Sequence, residues 1–180
     1  MKKENSAMYI LRLTVTLLLI CAAVAAVLAL VNSITKEPIA AIQAQKTQDA
    51  IAVVLPGTGD VEMLPLSGDT GIVNAVYASN DGYAVEVAPA GFDGEITMMV
   101  GVSDGTVTGI SVISHTETPG LGAVAAADNA KGEAFRGQFA GQSGELSVGN
   151  QIDGMSGATI TSKAVTAGVN AALAYVANLG

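Results

Sequence analysis

Hydrophobic residues follow three different patterns along the chain, and the first is an unbroken apolar stretch. No charged residue lies between Leu13 and Val31. At about 1.5 Å per residue, a helix of this length matches the hydrocarbon thickness of a bilayer. Helical spacing then predicts that a membrane-proximal helix leaves the membrane from Ser33 to Leu55 and is ended by Pro56-Gly57.

Period-two alternation replaces helical spacing further on and predicts strands. The predicted strands are Tyr83–Val87, Ile96–Val102 and Val107–Ile113. They are punctuated by the turn pairs Asp81-Gly82, Asp93-Gly94 and Asp104-Gly105. Residues 57–72 read as loops and short strands, and residues 114–146 as short helical or loop pieces. The alternation favours an antiparallel sheet with one face buried.

The last segment, Ser162 to Leu179, is predicted to be helical because its apolar residues fall on one face. The expected fold class is therefore α+β: an N-terminal transmembrane helix, then a domain with a largely antiparallel sheet flanked by helices. The predicted organisation is an N-terminus over residues 1–12, an anchor over 13–32, a membrane-proximal helix over 33–56 and a domain over 57–180.

Charge at the two ends of the apolar stretch predicts its orientation. Lys2, Lys3 and Arg12 precede it, whereas Lys36 follows it and is offset by Glu37. The positive-inside rule then places the N-terminus in the cytoplasm and the domain outside the cell membrane. A cleaved signal peptide is the alternative. The stretch exceeds the apolar core of about 7–15 residues found in signal peptides, which favours an uncleaved single-pass anchor in the inner membrane.

Composition excludes several functional classes. Residues 33–180 carry five Lys and Arg against fifteen Asp and Glu, a net charge of −10. Such an acidic domain has no basic stripe to neutralise phosphates, which argues against nucleic acid as a partner. The single cysteine, Cys21, excludes disulfides, thiolate zinc sites, iron–sulfur clusters and CxxCH haem attachment within the chain, and the single histidine excludes a multi-histidine metal site.

The segment from Asp153 to Ser162, DGMSGATITS, is a small-residue loop that leads into the terminal helix. Gly157 and Ala158 would let a ligand approach the backbone closely. The amides of the first helical turn, expected near Thr161 and Ser162, form a ready phosphate site. Hydroxyls come from Ser156, Thr159, Thr161 and Ser162, and Lys163 adds a positive charge. The alternative is a simple Ser or Thr helix cap.

The segment from Ser114 to Gly122, SHTETPGLG, follows the third predicted strand. Pro119-Gly120 indicates a turn, and polar residues at a strand end often contact ligands. His115 alone is more typical of a solvated or hydrogen-bonded histidine. A Ser/His/Glu hydrolytic arrangement is conceivable, but the chain has no GxSxG motif and no second histidine.

Together these two segments resemble the signatures of the FMN-binding domain family. Gly91-Phe92-x-Gly94 and Phe135-x-x-Gln138-Phe139-x-Gly141 fit its pattern more loosely. Within that family, the layout with an anchor is similar to the G subunits of Rnf complexes, which are ion-translocating ferredoxin:NAD⁺ oxidoreductases. The C subunits of sodium-translocating NADH:quinone reductases are related.

The resemblance implies FMN joined by a phosphodiester bond to Thr159, installed from FAD by a separate Mg²⁺-dependent flavin transferase. It implies that Glu117, Thr118, Leu121 and Gly122, with His115 nearby, border the flavin. A negative charge near a flavin disfavours its anionic reduced form, so Glu117 would lower the reduction potential. Asp153 is expected to fix the loop or face the transferase. The absence of tryptophan leaves open which side chain packs on the isoalloxazine.

The function that the resemblance implies is electron relay through a fixed flavin, as one component of a membrane electron-transport complex. No independent catalytic activity is expected, because no general acid or base for a small substrate is evident. The alternatives are a stand-alone anchored flavoprotein, a non-redox anchored binding module, and a hydrolase using Ser156 and His115.

Overall fold

The computed structural model describes residues 6–57, 59, 61–68 and 70–179, and the side chains of Ser6 and Ala7 are not described. The chain divides into two units, residues 1–45 and residues 46–180. Helix α1, Ser6–Val54, contributes to both. The predicted anchor and the predicted membrane-proximal helix are both contained in this one continuous helix. The predicted end at Leu55 differs from the observed end by one residue.

In the first unit, α1 carries the apolar stretch, and its described side chains are exposed apart from the half-buried Thr35. Met8–Val54 is long and apolar enough to cross a membrane. Hydroxyls in this part are satisfied by the helix itself: Thr14 donates to the carbonyl of Ile10 at 3.0 Å, and Thr16 to that of Arg12 at 2.8 Å. A polar side chain bonded in this way exposes no unpaired group to lipid.

The second unit is built on a five-stranded antiparallel sheet in which sequential strands are neighbours. Its strands are β1 Glu62–Leu64, β2 Val73–Ser79, β3 Gly82–Val87, β4 Thr97–Ser103 and β5 Thr106–Ser114. A short 3₁₀ helix, Gly122–Ala126, follows β5, and the helices α2 Ala130–Gly137 and α3 Thr159–Ala177 complete the fold. The turn from β4 to β5 places Asp104 and Gly105 at positive φ, 49° and 71°, as a tight hairpin requires. The α+β prediction is confirmed.

Two clusters of buried side chains cover the sheet on both faces, which corrects the expectation of one buried face. The larger cluster joins β2–β5 to α2 and α3 through residues such as Val100, Phe139 and Val169. The smaller joins Ala84 and Met99 to the end of α1, at Ala50, Ile51, Val54 and Leu55. Thr108 also donates to the carbonyl of Val54 at 2.5 Å and so caps α1. Strand β4 is consequently buried along nearly its whole length.

The three predicted strands correspond to β3, β4 and β5, but β2 was missed. Its register shifts between Val73 and Ala75, and this irregularity breaks the alternation that would have revealed it. The terminal helix also begins earlier than predicted, at Thr159 rather than Ser162, and ends at Ala177 rather than Leu179. Thr159 is therefore the first residue of α3.

Candidate functional site

The loop before α3 brings Thr159 to the surface. Gly157 has φ +76°, a left-handed conformation that glycine adopts without strain. A Cβ at this position would lie 3.1 Å from Cδ2 of Leu121, so the two loops are in close contact. Ala158 is the N-cap of α3 and makes no side-chain cap hydrogen bond. The alternative of a Ser or Thr cap is therefore wrong, and Thr159 remains exposed.

Backbone amides at the start of α3 define where an anion could bind. The amide of Ser162 donates to the carbonyl of Ala158 at 2.9 Å. It is therefore not available to a ligand, which corrects the expectation for Ser162. The amides of Thr159, Ile160 and Thr161 precede the first intrahelical hydrogen bond, and such groups point out of a helix at its positive end.

The side chain of Ser162 is fully buried, and its hydrogen bonds hold the loop before α3 in place. Its hydroxyl donates to the carbonyl of Ala158 at 2.9 Å and accepts from the amide of Met155, also at 2.9 Å. The hydrogen bond from the Met155 amide ties the DGMSGAT segment to the first turn of α3. Ser156 and Lys163 are exposed.

Glu117 is the buried polar centre of the site, with 5% of its surface exposed. Its Oε2 accepts a hydrogen bond from the hydroxyl of Thr161 at 2.5 Å. Its Oε1 accepts from the amides of Phe92 at 2.7 Å and Asp93 at 3.3 Å. One carboxylate therefore joins the loop that follows β3, the loop that follows β5 and the first turn of α3.

Two glycines leave the space that this carboxylate occupies. A Cβ on Gly91 would overlap Oε1 of Glu117, and one on Gly122 would overlap Oε2 of Glu117 and approach Oγ1 of Thr161 to 2.6 Å. The close packing of Glu117 therefore explains why a residue without a side chain stands at Gly122. Gly122 and Glu117 both lie beside the first turn of α3.

The electrostatics of Glu117 favour its charged form. Burial raises its pKa, but the hydrogen bonds from Thr161, Asp93 and Phe92 and the nearby His115 together outweigh burial. The pKa of Glu117 therefore lies below its ordinary value. The carboxylate contributes a fixed negative charge under the first turn of α3.

His115, Thr118 and Asp153 occupy the edges of the site. His115 is half-buried, and its Nδ1 is buried without a hydrogen-bond partner among the described residues. Thr118 is exposed, and its carbonyl accepts from the amides of Leu121 and Ala123, both at 3.2 Å. No hydrogen bond in the described structure joins Ser156, His115 and Glu117, so the hydrolytic arrangement is not assembled.

The backbone of Asp153 is held by Gln138, which follows α2. Its amide donates to Oε1 of Gln138 at 2.7 Å, and its carbonyl accepts from Nε2 at 3.2 Å. Phe135 and Phe139 anchor this stretch in the core as an edge-to-face pair with ring centroids 5.5 Å apart. The loosely matching segment from Phe135 to Gly141 therefore supports the loop that contains Asp153.

Comparison with known sequences finds two family matches that together cover the N-terminal helix and most of the second unit. Residues 91–174 match the FMN-binding domain family, and residues 1–54 match the RnfG N-terminal region. The matched domain begins at Gly91, which packs on Glu117, and includes the whole Thr159 loop.

Relatives match over nearly the full length. The G subunit of the ion-translocating oxidoreductase complex of Methanosarcina acetivorans is 34% identical, over 93% of this chain and 94% of the relative. The G subunit of the Na⁺-translocating ferredoxin:NAD⁺ oxidoreductase complex of Acetobacterium woodii is also 34% identical, over 94% and 93%. The proton-translocating counterpart of Clostridium ljungdahlii is 34% identical, over 98% and 96%. The chain belongs to the RnfG family.

In this RnfG domain the residues fit an FMN phosphate. Thr159 is exposed, the outward amides of the first turn follow it, and Gly157 lets the loop pass close to Leu121. Thr161, Glu117, Leu121 and Gly122 converge on this turn. Among the residues singled out from the sequence, Ser162 faces the protein interior, and His115 and Asp153 lie at the margin.

Sequence reasoning assigned no individual role to three residues that lie beside this site: Gly91, Phe92 and Ile160. Gly91 packs on Glu117, Phe92 donates its amide to Glu117, and the side chains of Phe92 and Ile160 are exposed. The short Gly91-Phe92-x-Gly94 pattern was the available signal for the first two. Ile160 carried no signal, since an isolated isoleucine in a helical segment is ordinary.

Proposed function

We propose that this chain is the electron-transfer component, carrying FMN covalently on Thr159, of a membrane-bound, ion-translocating ferredoxin:NAD⁺ oxidoreductase complex. Membership of the RnfG family and the FMN-binding domain over residues 91–174 support the assignment. The single observation that carries the proposed attachment site is the exposure of Thr159 at the N-terminus of α3.

Attachment is a phosphoryl transfer. The hydroxyl oxygen of Thr159 attacks the flavin-side phosphorus of FAD, a phosphorus–oxygen bond forms to Thr159, and the pyrophosphate bond breaks with AMP as the leaving group. The hydroxyl proton passes to a base of a Mg²⁺-dependent flavin transferase. Exposure of Thr159 gives that enzyme access, and the small residues Gly157 and Ala158 leave room beside it.

The phosphate of such an ester would be held at the positive end of α3. The amides of Ile160 and Thr161 would serve as donors, and Lys163, one turn along the exposed surface, would add a positive charge. Ser156, Thr118 and the backbone at Gly122 would border the remainder of the cofactor. When bound, the flavin supplies electron-transfer chemistry, and the protein supplies its position and surrounding charge.

The first unit of the chain supports the proposed membrane placement. The apolar part of α1 crosses the inner membrane once, with the positively charged N-terminus in the cytoplasm and the acidic domain outside. A covalent bond to Thr159 keeps the cofactor on a face of the membrane where a dissociable one would be lost. The other membrane proteins of the complex are its permanent partners, and the transferase is a partner during maturation.

The direct experiment is purification of the tagged full-length chain from membranes after expression with its complex and a flavin transferase. We expect a band that fluoresces under ultraviolet light after denaturing electrophoresis, and co-purification of further membrane proteins of the complex. A colourless, non-fluorescent chain would contradict the redox function, and a fluorescent chain that purifies alone would contradict the complex.

Orientation is tested separately with a thiol reagent that cannot cross membranes. In a Cys21→Ser background, the exposed Asp81→Cys site should be labelled when only the outer side of the inner membrane is accessible. Labelling only after that membrane is permeabilised would reverse the orientation.

A further inference from the structure

A surface groove of about 1070 Å³ lies where two hairpin turns of the second unit meet the last turns of α3. Its walls are the β2–β3 turn at residues 79–83, the β4–β5 turn at residues 103–105 and the segment at residues 144–145. Helix α3 runs for 19 residues from Thr159, so at about 1.5 Å per residue its two ends lie roughly 27 Å apart. The groove is therefore at the opposite end of α3 from Thr159.

Hydrogen bonds hold the walls of this groove in place. Asn170 on α3 donates to the carbonyl of Leu146 and accepts from its amide, both at 2.9 Å, which ties the segment after Gly144 to the helix. The hydroxyl of Ser79 donates to the carbonyl of Gly82 at 3.1 Å across the β2–β3 turn. The groove is thus preformed in the folded domain, and a preformed site loses less conformational entropy on binding than a mobile one.

The walls of the groove are acidic. Asp81, Asp104 and Glu145 are exposed and line it, and no Lys, Arg or His is among its lining residues. Within the described part of the chain, the side chains of these three residues make no salt bridge and no hydrogen bond. Three negative charges therefore face one groove without a positive partner. We call it the acidic groove.

The C-terminal end of α3 adds to the negative potential and brings apolar surface. The last carbonyls of a helix have no intrahelical partner and form the negative end of its dipole. The last turn of α3 carries no basic residue, and its residues Ala174 and Ala177 line the groove. Tyr83, Leu173 and Val176 add apolar lining and belong to, or pack against, the larger core cluster.

We propose that the acidic groove docks a segment bearing Lys and Arg side chains that belongs to a neighbouring protein of the complex. The aliphatic stems of such side chains pack on apolar lining while their charged heads reach the carboxylates. Pairing of oppositely charged surfaces fixes the orientation in which two proteins dock. The inference rests on the proposed membership of a complex, but it does not depend on the flavin.

Other occupants fit the groove less well. Anionic lipid headgroups and nucleic acid phosphates would be repelled by its three carboxylates. A second copy of the chain offers no basic cluster, because the Lys and Arg residues in the described part of its second unit are spread over three helices, at Lys46, Lys131, Arg136 and Lys163. No group of three or more His, Cys, Asp and Glu side chains in the described residues could hold a metal ion. A basic protein segment remains.

The first arm of the test measures the chemistry of the groove with a fluorescent hexa-arginine peptide, titrated with the full-length chain in a non-ionic detergent. The groove variant removes three charges, with Asp81→Asn, Asp104→Asn and Glu145→Gln. Asparagine tolerates the left-handed conformation of Asp104, φ 49°, so the turn is preserved. The matched control removes three exposed charges outside the groove, with Asp49→Asn, Glu62→Gln and Glu133→Gln.

Fluorescence anisotropy should show peptide binding to wild type and to the control, and severalfold weaker binding to the groove variant. Equal weakening in the two variants would mean that only overall charge matters, which overturns the inference. Calorimetric binding of Ca²⁺ in the absence of peptide binding would also overturn it, because the groove would then be a cation site.

The second arm locates the partner in the assembled complex. In a Cys21→Ser background, Asp81→Cys should react readily with a thiol reagent in the chain expressed without the other proteins of the complex, and should be protected within the complex. Adding Asp104→Asn and Glu145→Gln should restore its reactivity there. Equal reactivity of Asp81→Cys in both states, or protection that survives removal of the two charges, would overturn the inference. If no other membrane protein accompanies the chain, the proposed complex fails instead, and the peptide titration still decides whether the groove binds a basic segment.

Discussion

The hydroxyl of Thr161 donates to Oε2 of the buried Glu117 at 2.5 Å, across 44 positions of sequence. This bond joins the loop after β5 to the first turn of α3. Because Glu117 also binds the amides of Phe92 and Asp93, the same carboxylate fixes all three segments that surround Thr159. One buried group therefore holds these three segments in place, and Thr159, the proposed attachment residue, is exposed beside them.

Removal of the Thr161 hydroxyl should be costly. Thr161→Val leaves one oxygen of a buried carboxylate without its donor, for which we expect a loss of about 1–3 kcal/mol in unfolding free energy. Thr166→Val is the control: Thr166 is equally buried, but its hydroxyl bonds only within its own helix, to the carbonyl of Ser162 at 2.9 Å. Thermal unfolding of the full-length chain in detergent measures both. Equal losses in the two variants would show that Thr161 has no special role.

Gly122 should not tolerate a side chain. In Gly122→Ala the added Cβ overlaps Glu117 and approaches Thr161, so we expect overpacking to cost about 1–3 kcal/mol and flavin incorporation to fall. Gly137→Ala is the matched control, since nothing lies within 4 Å of a Cβ at Gly137. Unfolding and flavin content are compared in both variants. A fully stable, fully flavinylated Gly122→Ala protein would contradict the packing described around Glu117.

Stability should depend on pH through Glu117. Its pKa in the folded protein is lowered, so its charged form contributes stability above the ordinary pKa of 4.5, and this contribution is lost as pH falls through the lower folded value. The stability difference between wild type and Glu117→Gln should therefore be constant near neutral pH and change below 4.5. Glu145→Gln, on an exposed carboxylate, is the control. A difference that is independent of pH across this range would refute a charged Glu117.

The reduction potential of the flavin should depend on the negative charge of Glu117. Glu117→Gln keeps an acceptor for the amides of Phe92 and Asp93 but removes the negative charge, so the midpoint potential should rise. Potentiometry of the flavinylated variant measures this, with Glu145→Gln again as the control. A midpoint identical to wild type would mean that the Glu117 charge does not reach the flavin, and its role would be positional alone.

Local pattern was sufficient to predict β3, β4 and β5, because alternation and turn residues are properties of neighbouring positions. It was insufficient for β2, where an irregularity at Val73 and Ala75 breaks the alternation. It also could not show that β4 is buried on both faces, since the second cover comes from Ala50, Ile51 and Val54 at the end of α1. Long-range packing decides that feature.

For the site, the local pattern indicated a small-residue loop before the terminal helix, and the resemblance to the FMN-binding domain family singled out Thr159 within it. The roles of its neighbours depend on tertiary contacts that no local pattern contains. Ser162 was expected to face a phosphate, yet burial turns its hydroxyl to Ala158 and Met155. Glu117 was expected beside the flavin, and the structure shows its oxygens bound to protein donors.

Intact-mass analysis of the denatured full-length chain tests the central claim most directly. Wild type and Thr159→Ser, produced with the flavin transferase, should both show an increment of one FMN minus water, because serine retains the attacking oxygen. Thr159→Val has a similar shape but no hydroxyl and should show none. An increment that persists in Thr159→Val, or is absent from wild type, would contradict attachment at Thr159.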